Sequence, residues 1–400
     1  MKLLFAHDHI FYKYNNEYYS NGSFPKHVLL RYTDVFDEVK FISRQESVHQ
    51  QIQKMSLSTT EHVKFIKVPN FKSINKFYKI LEARKIIEKE VADADCVIAR
   101  SSSIGSIAIE YAIKKNKPYA IEVVGCPWDA LWNYGNLAGK ILAPLSCLKL
   151  KKIVKSAPYV LYVTNKFLQK RYPTNGTNIS CSNVKIEFID EQVLINRIDK
   201  IHKLKTSNKI ILGTAAAIDV KFKGQEYVIE AISKLAKEGY DFEYQLAGNG
   251  DDSYLKSIAE KFGVIDKIVF LGAVPQNKIV QWIDNIDIYI QPSKQEGLPR
   301  AVIESMSRAC PIIASNAGGI PELVEEKHIF KKGNCNELST KINSLLSDKE
   351  EMKNQAIRNF NKSRDYYHEK LDMRRNDFLN EFKTYSMDVN KKYVDKLMDN

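Results

Sequence analysis

The sequence predicts an α/β protein built from two open parallel sheets in series. Three observations predict it. Short β-rich apolar runs alternate with helical patterns over most of the chain. A polar stretch near residue 200 interrupts this alternation once, and it then begins again. The 400 residues are enough for two domains, each burying its own core.

In the first half, strands are expected at residues 3–6, 39–43, 63–68, 96–99, 119–124 and 159–164. Residues 74–91 and 139–156 carry helical patterns. The polar stretch 196–208 reads as an interdomain linker. The second half starts with a strand at 210–216 and a helix at 225–237, whose Val228, Ala231, Ile232 and Leu235 share a face. A strand at 242–247 and a helix at 251–262 follow, the helix ended by Gly263. Further strands are expected at 267–271, 287–291 and 312–315, with helices at 277–284 and 300–308. From about 348 to 383 the chain reads as one long charged helix or a broken pair. Domains are therefore expected at 1–195 and 205–360.

Composition narrows the class. The chain is 44% hydrophobic and 27% charged, as soluble globular proteins are. It holds no run of 18 apolar residues, which argues against a membrane span. Residues 1–9 read as a first buried strand and not as a signal peptide, whose apolar region would be longer. Six cysteines without a CxxC pair fit reduced thiols in a cytoplasm, with no disulfide or zinc framework. Net charge is +12, but residues 1–205 alone carry 32 Lys and Arg against 19 Asp and Glu. The basic excess lies wholly in that half, and it suits a nucleic acid, an anionic membrane surface or a phosphate-bearing substrate.

Open parallel sheets place ligands beyond the carboxyl ends of their strands, and the most informative segment leaves one there. It runs from Gln291 through Glu296, Gly297, Leu298, Pro299 and Arg300 to Glu304. Proline is well tolerated where this segment enters its helix. The free amides and partial positive charge of the helix N-terminus suit a diphosphate or a sugar oxygen. Gly297 permits close backbone approach to a ligand, and Glu296 can accept hydrogen bonds from sugar hydroxyls. Glu304 sits in an otherwise apolar stretch, where a carboxylate needs a partner. Its spacing of four from both Arg300 and Arg308 equally allows an ordinary helix salt bridge.

Glu296 and Glu304, with seven residues between them that begin Gly-Leu-Pro, resemble the E-x7-E motif of the retaining glycosyltransferases of family 4. The stretch from Pro311 through Gly318, Gly319 and Pro321 to Glu322 is similar to that family's next segment, and the match runs through most of residues 209–345. The resemblance implies the fold called GT-B: two Rossmann-like domains across a cleft, with a C-terminal helix (about 365–385) returning to the first. It implies that Glu296 contacts the donor sugar and Glu304 the ribose, while the amides of Gly297 and Leu298 meet sugar and phosphates. It places Lys223, before Gly224, on the leaving diphosphate, an electrostatic role. The family's arginine after the first strand of this domain is absent here, where the chain reads Thr214-Ala-Ala-Ala, and Lys221 is the nearby cation. Asn249 and Gly250 belong to a glycine turn after a strand, Gly272 and Val274 match the nucleobase slot, and Gly22 matches the glycine loop that the family places after the first strand, near the donor phosphates. No metal or other cofactor is expected; the nucleotide sugar is a substrate.

Three residues of the first half are candidates for the acceptor: His7, Arg100 and Asp129, each near a strand end. The family's histidine after strand 119–124 is missing from Val123-Val-Gly125-Cys-Pro-Trp-Asp129. His7 and His9 share a strand face, but no third metal ligand accompanies them. Asp93-Ala-Asp95 precedes a strand and reads as solvated surface. Phe167 to Pro173 is similar to polysaccharide-biosynthesis members of the family. Residues 140–155 mix leucines with five lysines, which suits either an anionic bilayer surface or a helix packed on the sheet with its lysines in water.

The resulting expectation is a retaining enzyme of surface polysaccharide biosynthesis. It would carry a hexose from a nucleotide diphosphate, UDP by family habit, to a lipid-linked or oligosaccharide acceptor, in the cytoplasm or peripherally on the membrane. The alternatives are a GDP-mannose donor, an epimerase or phosphorylase of the same architecture, or a non-catalytic protein binding a membrane or nucleic acid. No nucleic-acid motif is present to support the last.

Overall fold

The structure, a computed structural model, describes residues 1–22, 24–50, 55–71, 78–133, 137–205 and 207–398. Residues 74–77 of the expected helix 74–91, Ser23 of the Gly22 loop and Thr206 of the expected linker lie outside the described residues.

The first sheet contains β1 (Lys2–Tyr14), β2 (Glu17–Ser20), β3 (Glu38–Ser47), β4 (Ser56–Leu57), β5 (Val63–Lys67), β6 (Cys96–Arg100), β7 (Tyr119–Val123), β8 (Tyr159–Tyr162) and β9 (Thr177–Ser180). Its path is β4-β2-β1-β6-β7-β8-β9, with β3 joining β1 to β5. β6 and β7 are buried at every position, and apart from Arg100 and Glu122, which pair with each other, they are apolar as strands of a sheet covered on both faces are. β1 is longer than the sequence suggests. After a register shift between Ala6 and Ile10 it continues beside β3 and turns back as a hairpin with β2. Asn15 and Asn16, both at positive φ, make that two-residue turn, a conformation asparagine tolerates. The Gly22 loop therefore follows β2, and not the first strand directly as expected.

The second sheet contains β10 (Ile210–Ala215), β11 (Phe242–Ala247), β12 (Ile268–Gly272), β13 (Ile288–Gln291), β14 (Ile312–Ser315) and β15 (Ile329–Phe330). All pairings are parallel, and the order is β12-β11-β10-β13-β14-β15. Such a doubly wound sheet reverses its winding between β10 and β13, and a ligand crevice is expected outside their carboxyl ends.

One expectation fails. Much of the polar stretch 196–208 is the helix Gln192–Lys203, docked on the second domain. Arg197, 4% exposed, donates from Nη1 to the carbonyl of Ile286 (2.7 Å), from Nη2 to that of Ile283 (2.8 Å) and from Nε to that of Arg308 (3.3 Å). Lys200 Nζ adds bonds to the carbonyls of Asp284 and Ile286. Two cations thus satisfy the carbonyl end of the helix Gln276–Asn285.

The charged C-terminal region is a broken pair. The helix Lys349–Ser363 buries Met352, Ala356 and Phe360 in the second domain's core. The turn Arg364–Tyr366 ends it, and the helix His368–Met398 returns to the first domain. There Leu371, Phe378, Leu379 and Phe382 are buried, and Lys383 Nζ donates to the carbonyl of Val35 at 2.6 Å. Arg375, 1% exposed, donates to the carbonyl of Ser182 at 2.8 Å.

Replacing Arg197 with methionine tests the docked helix. Three buried carbonyls lose a charged donor, so stability should fall by about 3 kcal/mol. Denaturant unfolding checks this; a change within error would return the segment to a linker.

Candidate active site

The loops after β10 and β13 meet at the switch point of the second sheet. After β10 the chain makes a short turn, Lys221–Lys223, and Gly224 adopts φ +76° before the helix Gln225–Lys237. A Cβ on Gly224 would lie 2.2 Å from the carbonyl oxygen of Pro292, the residue that follows β13. Only glycine satisfies both the left-handed backbone and that approach. The amide of Lys294 donates to the carbonyl of Phe222 at 2.8 Å and ties the loops together.

This contact brings Lys223 to Glu296. Lys223 Nζ lies 2.7 Å from Glu296 Oε1, which also accepts from Ser293 Oγ (2.7 Å) and Gln291 Nε2 (3.1 Å). Both side chains are largely buried, at 23% and 11% exposure. Behind them Tyr289 is fully buried and donates to Gln291 Oε1 at 2.8 Å. Burial, and then the charges of Glu304 and Glu296, push its phenol well up, so Tyr289 remains a neutral donor. Glu304 is half-buried one face along. The competing salt bridge with Arg308 does not form, because Arg308 donates to both carboxylate oxygens of Asp284 at 2.7 and 2.6 Å.

Pro299 precedes the helix Arg300–Ser307, whose start has no side-chain cap. The loop before it is held from behind by the turn at Gly318 and Gly319. The Gly319 amide donates to the carbonyl of Gly297 at 2.8 Å. Gly318, at φ +57°, packs so tightly on Glu296 that a Cβ would lie 1.9 Å from its carbonyl oxygen. In front stands the first domain. A Cβ on Gly297 would meet the carbonyl oxygen of Val124, just past β7, at 2.3 Å. Leu298 packs on both cores, and Asn133 Nδ2 donates to Gln295 Oε1 at 2.9 Å. The Glu296 loop therefore sits where the two domains face each other.

The remaining candidates spread around this centre. Gly248 lies against the carbonyl of Ala216 and Gly250, at φ +133°, against Asp219, with Asn249 exposed between them. Gly272, at φ +66°, accepts the amide of Gly248 at 2.8 Å, and Val274 is half-buried two residues on. Lys221 Nζ lies over the ring of Tyr254 at 4.6 Å and so points to a different neighbour from Lys223. Gly22 is exposed at φ +90° with open space around it.

The acceptor candidates are engaged within the first domain. Arg100, 7% exposed, donates from Nε to Glu122 Oε2 at 2.7 Å and lies over the ring of Phe24. Burial alone would raise the Glu122 carboxyl, but Arg100, Arg375 and the Tyr32 hydroxyl outweigh it and hold it below the usual range. Asp129 pairs with Arg171 at 3.1 Å. His7 and His9 both pack on Phe24, and His9 bonds Ser20 Oγ at 2.9 Å. Burial, then Arg100 and Arg44, push the His9 imidazole down to about 4, so it is neutral at pH 7. Asp93 pairs with Lys40 and Lys2. Among the described residues, only Glu325, His328 and Glu351 group as metal ligands would, and Lys327 already pairs with Glu351.

Sequence reasoning missed Gln291 and Ser293, which donate to the carboxylate, and Tyr289, which donates to Gln291. Gln291 and Ser293 were visible as polar residues beside a strand end, but only the fold turns them toward Glu296.

Comparison with known proteins agrees with this architecture. Residues 195–363 match the family "Glycosyl transferases group 1". The chain is 34% identical over 392 residues to Protein CapJ of Staphylococcus aureus, covering 96% of each. It is 31% identical over 110 residues to the putative colanic acid biosynthesis glycosyltransferase WcaL of Escherichia coli K12, covering 26% of this chain and 27% of WcaL. Two solved structures show the same fold. WaaG, a glycosyltransferase involved in lipopolysaccharide biosynthesis, superposes with a TM-score of 0.63 at 14% identity, covering 95% of this chain and 99% of WaaG. Anabaena HepE in complex with UDP-glucose superposes with a TM-score of 0.62 at 14% identity, covering 96% and 100%. With two parallel-sheet domains in the GT-B arrangement and this match to sequence relatives, the chain belongs to the group 1 glycosyl transferases and is a glycosyltransferase.

Proposed function

We propose that this enzyme moves a hexose from a UDP-linked sugar, with retention of configuration, to a lipid-linked saccharide during surface polysaccharide assembly. The observation that carries the donor site is the Lys223–Glu296 pair at the switch point of the second sheet, facing the first domain. Glu296 Oε1 takes three protein donors, and Oε2 takes none among the described residues, so one oxygen remains for a sugar hydroxyl. In this reading the diphosphate lies at the start of the helix Arg300–Ser307 and draws Lys223 onto itself. The acceptor oxygen bonds to the sugar's anomeric carbon as the bond to phosphate breaks. The acceptor's proton passes to the leaving phosphate, as is often proposed for this family. Glu304 would hold the ribose, and Gly272 and Val274 the base. The choice of UDP leans on HepE, crystallised with UDP-glucose. The pathway leans on the printed names of relatives such as WcaL.

A surface of the first domain supports the lipid-linked acceptor. The helix Leu137–Ser156 buries Cys147, Leu150, Ile153 and Val154, yet Leu137, Ile141, Leu145 and Leu148 are 61–74% exposed on its other side. Spacings of four, four and three align them on one face. Exposed Trp132 stacks on Trp128 beside them, and Lys140, Lys149, Lys151, Lys152 and Lys155 are exposed around the stripe. An apolar ridge with a basic border suits the interface of an anionic bilayer. Among the described residues, no helix is long and apolar enough to cross one.

Two outcomes are expected. In a panel of UDP-, GDP- and ADP-sugars, a UDP-sugar should give the largest thermal shift and be transferred to a lipid-linked acceptor. Glu296→Ala should lower that transfer about a hundredfold or more while circular dichroism shows the variant still folded. Full activity in the variant refutes the donor site, and transfer from GDP-mannose alone corrects the donor. Separately, the chain should sediment with vesicles containing phosphatidylglycerol but not with pure phosphatidylcholine, and L145D/L148D should lose that binding. Sedimentation unaffected by the substitutions refutes the membrane face.

A further inference from the structure

Glu322 joins the two domains at the edge of the donor loop. It ends the short turn Ile320–Glu322, between β14 and β15 of the second sheet. Its carboxylate accepts three successive backbone amides of the first domain: Asn165 to Oε2 at 2.6 Å, and Lys166 and Phe167 to Oε1 at 3.0 and 2.6 Å. These residues follow β8 and open the helix Phe167–Arg171. Successive amides that converge on one carboxylate form charge-assisted bonds, about twice as strong as neutral ones. No side chain of the first domain is needed for recognition.

The contact is mechanically continuous with the donor loop. Glu322 lies three residues beyond Gly319, whose amide holds the carbonyl of Gly297. A Cβ at Gly319 would lie 2.9 Å from Thr164 Cγ2 of the first domain and 2.5 Å from the Gly297 carbonyl oxygen. Thr164 in turn accepts the amide of Leu168 at 3.0 Å, so the receiving segment is itself braced. The Glu296–Leu298 loop, the glycine turn and the end of β8 therefore form one stack, and Glu322 is its polar fastening.

We propose that Glu322 is an interdomain latch, a positioning residue that sets the donor loop against the acceptor domain. This rests on the donor site proposed above. The main donor groups of that reading, Lys223, Glu296, Glu304, Gly272 and Val274, all belong to the second domain, whereas transfer needs both domains in register. Loss of the latch should leave donor binding nearly unchanged and slow transfer. The closed pairing also keeps water from the donor, so a released latch should favour hydrolysis over transfer.

The test compares the full-length chain with Glu322→Gln and Glu322→Asp. Glutamine offers one acceptor oxygen and turns a carboxamide NH2, itself a donor, toward the converging amides; aspartate is too short to reach all three. Small-angle scattering with saturating UDP should show a larger radius of gyration for both variants than for the parent. The affinity for UDP should stay within about twofold, and kcat for transfer should fall about ten- to a hundredfold, with Glu322→Asp the milder. Circular dichroism and thermal melting confirm that the variants fold. An unchanged radius together with unchanged kcat overturns the latch. Weaker UDP binding at unchanged kcat also overturns it, by assigning Glu322 to the donor pocket. Scattering decides the matter even if no transfer is found for the parent, which would instead count against the donor reading.

Discussion

The second domain is organised around keeping Lys223 and Glu296 in contact. Their loops leave neighbouring strands at the point where the sheet reverses its winding, and three close backbone approaches press them together. Gly224 fits beneath Pro292, Gly318 beneath Glu296 and Gly297 beneath Val124. A partly buried ion pair gains little net stability, because desolvation offsets most of the attraction. The pair with its Gln291, Ser293 and Tyr289 surround is therefore better explained by the ligand proposed for it than by the fold. In the proposed reading, Lys223, held 2.7 Å from Glu296, exchanges that partner for an incoming diphosphate.

The first domain is stiffened on its cleft side by charges that face inward. Glu122 on β7 accepts from Arg100 on β6 and from the Tyr32 hydroxyl at 2.6 Å. Arg375, on the returning C-terminal helix, adds its charge to the same carboxylate. Sheet and helix are thereby fixed to each other beneath the surface that Val124 and Thr164 present to the second domain. A rigid surface makes a three-amide contact with Glu322 informative, since movement there is transmitted to the donor loop. Arg100 is part of the same arrangement, with its Nε bound to Glu122 and its guanidinium over the ring of Phe24.

The second sheet was legible in the sequence because parallel strands buried on both faces are continuous apolar runs. Ile-Tyr-Ile-Gln and Ile-Ile-Ala-Ser are plain examples. The Glu296 loop was legible for the same reason, since it follows such a run and leads into a helix. The first domain was less so. β1 mixes histidines and tyrosines with apolar residues as it leaves the sheet centre, and it hid a hairpin that Asn15-Asn16 could have signalled. The helix Gln192–Lys203 was hidden by its polarity. Leu194, Ile198, Ile201 and Leu204 recur at helical spacing, but the key buried residue is an arginine whose value depends on distant carbonyls. Glu322 lay within a recognised stretch, yet its partners are backbone amides more than 150 residues away, which carry no side-chain signature.

The central claim is that the β10 and β13 loops grip a glycosyl diphosphate. A crystal structure of the enzyme with an unhydrolysed UDP-sugar tests it most directly. The account predicts the diphosphate at the first amides of the helix Arg300–Ser307, Lys223 moved from Glu296 to a phosphate oxygen, and Glu296 on a sugar hydroxyl. A nucleotide sugar bound elsewhere, with the Lys223–Glu296 pair intact, would contradict it.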